Sequence, residues 1–164
     1  MREAEKFGAN LLRGVMRSAR WDNRDMSDMD LRDVDLSGMS FQNANLRNAN
    51  LRGANLTGCK LTRSWMVKAD LSEARVTEAD LSDANLERAS LVAADLEAAH
   101  FVKSFLARAD LRGANLSGAR FFGADLTGTL FDLGAEPDQS FVPPEESWER
   151  QYVTPPPRKK GFFG

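Results

Sequence analysis

Large apolar side chains recur at every fifth position from Trp21 to Phe131, without a slip. The series opens Trp21, Met26, Leu31, Leu36, Phe41, Leu46 and closes Leu116, Phe121, Leu126, Phe131. The residue two places before each is small over most of the run: Ala44, Ala49, Ala54, Cys59, Ser64, and onward to Ala124. Between the small and the large residue stands a polar one, most often Asp or Asn, as in Ala49-Asn50-Leu51-Arg52-Gly53. A helix repeats at 3.6 residues and a flat strand at 2, so a period of five is neither. An unbroken short period is the mark of a solenoid whose units stack on their neighbours.

The pattern also suggests how five residues make one unit. Small and large residues alternate around the Asp or Asn, so they share one side of an extended segment and the polar residue faces out. The two remaining residues must turn the chain. Glycine is frequent at the second of them, at Gly53, Gly58, Gly113, Gly118, Gly123 and Gly128. It fits a tight turn or a left-handed conformation there. The Leu column fills the centre, and Ala lets the walls approach.

Three regions follow. Residues 1–20 space Phe7, Leu11, Leu12, Val15 and Met16 in a roughly helical manner, which predicts a helical cap. Residues 21–131 are the repeat. Residues 132–164 carry Pro137, Pro143, Pro144 and Pro155 to Pro157, too dense in proline to continue a ladder. They predict a capping segment followed by an extended tail.

The repeat closely resembles the pentapeptide-repeat family. The resemblance covers about two thirds of the chain. It implies a right-handed, four-sided parallel β-helix with one pentad per side, an all-β solenoid. Coils would pair through the backbone at about 4.8 Å, as in any sheet. The start departs from the family pattern, because Arg24 occupies a small-residue slot and Met29, Val34 and Met39 are large for it. The first coil is therefore expected to be widened or covered by residues 1–20. Four sides return the chain to the same side every 20 residues. Trp21, Phe41, Leu61, Leu81, Phe101 and Phe121 then form one internal column. Open solenoid ends expose unpaired backbone. Leu130, Phe131, Leu133, Phe141 and Trp148 are candidates to cover the C-terminal end, or to bury it against a second copy in a homodimer.

Composition adds exclusions. Net charge is −2, with 28% charged residues of mixed sign, so no global field selects nucleic acid, and direct DNA binding is not expected. The N-terminus lacks the apolar region of a signal peptide. No run of about 18 apolar residues is present to span a bilayer. A cytoplasmic protein is the expectation. Cys59 replaces a core alanine and reads as an inert buried thiol. His100 stands alone at an outward slot. The Asp residues occupy the outward slot, with Asn50, Asp70 and Asp110 forming a polar ladder rather than a metal site. Phosphate loops and metal-spaced Cys or His are absent from the sequence. Neither an enzyme nor a cofactor is expected.

The stronger signal is apolar residues at outward positions. Trp65 and Phe105 take the Asp/Asn slot of one side, two coils apart, with Val67, Val102, Ala107 and Phe122 nearby. Clustered exposed apolar groups suggest a contact surface, and Trp and Phe favour interface centres. Trp65, Val67, Val102, Phe105 and Phe122 are the candidate partner-binding set. Incidental exposure, or coverage by the tail, is the plainer account. A second candidate is the terminal Arg158, Lys159, Lys160, Phe162 and Phe163, a basic-aromatic stretch with the look of a docking motif.

Two functions remain. The first is a non-enzymatic protein–protein interaction scaffold with an unidentified protein partner. The second comes from the family resemblance: some members imitate duplex DNA and bind type II topoisomerases, protecting them from inhibitors. Such mimicry needs a continuous row of carboxylates in place of phosphates. Two sides lean acidic, one with Asp30, Asp33, Asp70, Glu73 and Asp110 and the next with Asp35, Glu78, Asp95 and Glu97, but Arg32, Arg52, Arg75 and Arg112 interrupt them, and a further side with Lys60, Arg63, Lys103 and Arg120 leans basic. No looped insertion breaks the pentads. Both features place this reading second.

Overall fold

A computed structural model describes residues 20–133. The predicted N-terminal helix and the proline-rich tail lie outside the described residues. Within them every pentad adopts the same conformation, two turn residues and one bridging residue. Each bridging residue pairs in parallel with the residue 20 positions on, from Asp25 with Asn45 to Asp110 with Leu130. The pentad is therefore one side of a coil, and four sides close the coil.

The hydrogen bonds explain why five residues suffice. In the pentad Leu71–Arg75 all five backbone N–H groups are satisfied. Leu71 and Glu73 donate forward to the next coil, to Ser90 O at 2.7 Å and Val92 O at 2.9 Å. Arg75 donates back to Ala54 O at 2.9 Å. Ala74 closes the turn on Leu71 O at 3.0 Å. The remaining N–H, that of Ser72, donates to the Asp70 carboxylate at 2.9 Å. Buried backbone polar groups must find partners, and the outward Asp or Asn supplies the acceptor that the ladder lacks. The same bond recurs at Asp25, Asn55, Asp80, Asn85 and Asp125.

The turn imposes a backbone condition. The third residue of every turn, from Asn23 to Gly128, has positive φ, while the second does not. That sign pattern is a type II turn. Glycine fills only a minority of these positions. Asn or Asp, which tolerate the conformation, fill others such as Asn43 and Asp83. Arg63, Lys68, Glu73, Arg88, Lys103 and Arg108 hold it with long side chains. A left-handed residue other than glycine costs roughly 1 kcal/mol or more. At these sites the two neighbouring coils impose it.

The core is the predicted one. Leu31 through Leu111 at the centres, and Ala44 through Ala109 at the walls, are buried. Phe101 and Phe121 stack in their column with ring centroids 4.8 Å apart and planes 5° apart. At the N-terminal end Val34 is buried, Met29 and Met39 are half-buried, and Arg24 is exposed. The wall thus opens where large residues replace alanine. Towards the C-terminal end Leu116, Leu126 and Phe131 become partly exposed, and Leu130 and Leu133 are exposed.

Leu71 is fully buried. Replacing it with Asp places a carboxylate where nothing can pair with it, at several kcal/mol. That is comparable with the whole stability of a small domain, about 5–15 kcal/mol. Leu71→Asp is expected to unfold or aggregate the protein. Asn50→Ala, which removes one acceptor for Arg52 N–H, is expected to cost about 1 kcal/mol. Equal thermal midpoints for wild type and Leu71→Asp would refute the inward register.

Candidate protein-interaction surface

The bridges sort the outward residues into four ladders. The first side carries Asp25, Asn45, Trp65, Asn85, Phe105 and Asp125. The second carries Asp30, Asn50, Asp70, Ser90, Asp110 and Leu130. The third carries Asp35, Asn55, Arg75, Asp95 and Asn115, and the fourth Ser40, Lys60, Asp80, His100 and Arg120.

Trp65 and Phe105 share the first side, with Asn85 paired between them. They are 53% and 52% exposed. Neither ring can accept a bond from the next turn, so neither serves the coil as Asp or Asn does. Val102 and Phe122 occupy adjacent coils at one corner of this side, and Val67 and Ala107 occupy the other corner two coils apart. All four are half-buried. The structure thus gathers the expected apolar residues around one side. The C-terminal motif, Arg158 to Phe163, lies outside the described residues.

The surroundings of these rings are cationic, which extends the basic lean expected around Arg63 and Lys103. Arg63, Lys68, Lys103 and Arg108 stand exposed in the turns that flank Trp65 and Phe105, and Arg88 lies in the coil between. The signal was available as a repeat within the repeat. Residues 61–71, LTRSWMVKADL, match 101–111, FVKSFLARADL, class for class at a separation of two coils, except at Thr62 and Val102. Buried Ser64 and Ser104 precede the two rings in this motif. Ser104 Oγ donates to Phe101 O at 2.8 Å.

Several acidic groups elsewhere are paired. On the second side Arg32 grips Asp30 through two bonds of 2.8 and 2.6 Å. Arg112 grips Asp110 in the same way at 2.9 and 2.6 Å. The guanidinium in each pair holds the Asp carboxyl below its usual range. Arg52 pairs with Glu73 of the next coil. On the third side Asp35 and Asp95 accept from Asn55 and Asn115, each at 3.0 Å. On these two sides closed pairs and amide ladders interrupt the row of carboxylates.

Among the described residues no three His, Cys, Asp or Glu side chains come together to hold a metal. A shallow depression at the N-terminal end is bounded by Arg20, Trp21, Asp22 and residues 37–40. Its carboxylate, Asp22, accepts from Ser40 Oγ at 2.6 Å and Gln42 N at 2.9 Å. His100 sits on the fourth side between Asp80 and Arg120. Among the described residues no helix is long and apolar enough to cross a membrane.

These features define a quadrilateral β-helical solenoid with one aromatic side. The chain belongs to the pentapeptide-repeat family: the family model for pentapeptide repeats matches residues 30–66, 69–99 and 89–128 in eight copies. The fold is accordingly the right-handed quadrilateral β-helix of that family. Among solved structures the chain is 35% identical to Rfr23, a pentapeptide repeat protein of the cyanobacterium Cyanothece 51142, at a TM-score of 0.54. That match covers 60% of this chain and 65% of Rfr23, so the chain spans less than two thirds of that relative. A pentapeptide repeat protein of the Arabidopsis thaliana thylakoid lumen is 31% identical, over 76% of this chain and 73% of its own, at a TM-score of 0.39. QnrB1, a plasmid-mediated fluoroquinolone resistance protein, is 22% identical over 65% of this chain and 69% of its own, at a TM-score of 0.41. A comparison with curated proteins gave no match.

Cys59 offers a direct check of the core. Burial pushes its thiol up to about 11, and Sγ lies 3.0 Å from Leu36 O. Near pH 8 that leaves roughly one part in a thousand as thiolate, against about a quarter for a free cysteine. Iodoacetamide is expected to label the native protein at least about a hundredfold more slowly than the unfolded chain. Equal rates would show that the thiol is not enclosed.

Proposed function

We propose that this protein is a non-enzymatic protein–protein interaction scaffold whose rigid first side is the contact surface. One observation carries the reading: Trp65 and Phe105 stand more than half exposed, two coils apart, on a ladder that otherwise presents Asp and Asn. Exposed aromatics of this kind favour interface centres. The rod holds them at fixed spacing, so little conformational entropy is lost on binding. The terminal Arg158, Lys159, Lys160, Phe162 and Phe163 make a second, weaker contact in this reading. Scaffold and partner share the cytoplasm, which cell fractionation tests. No catalytic step and no direct contact with DNA are assigned. Imitation of duplex DNA before a type II topoisomerase ranks second, because closed Arg–carboxylate pairs interrupt the row of charge it needs.

Trp65→Asn with Phe105→Asn tests the reading, because Asn is an ordinary residue of that slot. The double variant is expected to match or exceed wild type in thermal stability, since Asn restores an acceptor for the following turn. Affinity capture of the partner should nevertheless be lost. Two interface aromatics at about 2 kcal/mol each amount to roughly a thousandfold in affinity. A clear fall in stability would mean that the rings pack against the protein itself. Unchanged stability with unchanged capture would dismiss the contact surface.

The exposed Leu130 and Leu133 at the end of the ladder motivate a homodimer through the C-terminal end. Light scattering is expected to give twice the mass of one chain. A single-chain mass at all practical concentrations would remove the dimer.

A further inference from the structure

The two corners that flank the rings of the first side carry information about its partner. One corner is an unbroken line of positive charge. Lys68, Arg88 and Arg108 hold the left-handed turn position of three successive coils, and all three are exposed. Their backbone N–H groups fix them one above another, donating to Glu87 O, Ala107 O and Thr127 O of the coil beyond at 3.0, 3.0 and 2.9 Å. Glu87 lies 3.6 Å from Arg88. Among the described residues no ion pair engages Lys68 or Arg108. The opposite corner is mixed, with exposed Arg63 and Lys103 above and below Asp83. Five cations thus face two carboxylates around the rings, in a chain whose net charge is −2. Such a surface is complementary to an anionic partner.

Spacing selects the partner's conformation. Trp65 and Phe105 are two coils apart, about 9.6 Å at the interstrand spacing of ~4.8 Å. Polyproline II returns to one face every third residue, at about 9.3 Å. A strand laid along the rod returns every second residue, at about 6.8 Å. An α-helix returns every seventh, at about 10.5 Å. Polyproline II fits best, and such segments are recognised by aromatic surfaces. Its threefold symmetry adds a second match. When one face rests on the rings, the two residues between successive anchors turn towards the two corners. On the Lys68–Arg88–Arg108 corner that residue meets cations and the already paired Glu87, which suits Asp or Glu. On the other corner it passes Asp83, which suits a neutral side chain. A nucleic-acid strand fits less well, because its unbroken line of phosphates would run past Asp83 and Glu87.

We infer that the first side receives an acidic polyproline II segment of a protein partner, with proline or another apolar residue at every third position and a carboxylate between. The apolar residues seat on Trp65 and Phe105, and the carboxylates face the line of cations. This partner class rests on the reading of the first side as a contact surface.

The test uses the full chain and a fluorescein-labelled peptide of four Pro-Glu-Gln repeats, read by fluorescence anisotropy. Saturable one-to-one binding is expected. Lys68→Glu with Arg88→Glu and Arg108→Glu should weaken it more than about tenfold. Glu73 and Glu78 already hold this turn position in other coils, so the fold accepts the exchange, and unchanged circular dichroism checks it. Trp65→Asn with Phe105→Asn should also weaken binding. Raising salt from about 0.1 to about 1 M, which cuts the Debye length from about 10 to about 3 Å, should do the same. The same twelve residues rearranged as four Pro-Glu pairs followed by four Gln, with no two prolines three apart, should bind clearly more weakly. Absence of saturable binding, or binding indifferent to the charge reversal, overturns the proposal, and so does equal binding of the rearranged peptide. Stronger competition from oligothymidylate than from unlabelled peptide would assign the side to nucleic acid, and binding lost as the protein self-associates would assign it to a second copy; either result overturns it. If the peptide fails to bind yet capture still depends on Trp65 and Phe105, this partner class fails and the scaffold stands. If the peptide binds through the rings but capture never depends on them, the acidic-segment site stands and the scaffold fails.

Discussion

The structure depends on the parallel backbone ladder between residues 20 positions apart. Each pentad gives three N–H groups to the coils beyond and before and one to its own turn, and one N–H is left over. The repeat is five residues long because that length brings one residue to each bridge, two to the turn, one of them left-handed, and two, a large and a small one, to the core. The outward Asp or Asn then completes the account by accepting the leftover N–H, as Asp70 does for Ser72. Its frequency is a backbone requirement before it is a surface property.

That requirement makes departures informative. Side chains that cannot accept the bond, such as Trp65 and Phe105, stand in the slot without helping the coil. Cationic residues at turns where glycine would be easier, such as Lys68 and Arg108, likewise add strain to the coil. The two aromatic departures and the cationic turns meet on the first side, whereas the other non-accepting slots, Lys60, Arg75, Arg120 and Leu130, are scattered over the remaining three. Where sequence and fold pull apart in this way, function is the expected reason. Elsewhere parts of the surface are closed on themselves, as the Arg32–Asp30 and Arg112–Asp110 pairs show. Exposed pairs of this kind add little stability, but they cancel the charge that a partner seeking phosphate-like character would read.

The ends follow a different logic from the middle. In mid-rod, Leu71 and Phe101 are enclosed by coils on both sides. At the C-terminal end the same slots, Leu126 and Phe131, have a neighbour on one side only and stay partly exposed. A solenoid has no internal means of stopping, so its last coil needs a different chain segment or a second copy.

The unbroken period determined by itself which residues face inward, because alternation along an extended pentad is local. It also marked Trp65 and Phe105 as misfits, since a misfit needs only the repeat for comparison. Only the tertiary structure decided the rest. Left-handed geometry at Glu73 or Arg88 is imposed by neighbouring coils, and nothing in those residue types announces it. The pairing of Arg52 with Glu73 joins residues of adjacent coils that the chain separates by 21 positions. The cationic frame around the two rings draws on turns from three successive coils. Such groupings arise when a linear order is wound into a stack, and 20-residue pairing, not sequence proximity, sets who stands beside whom.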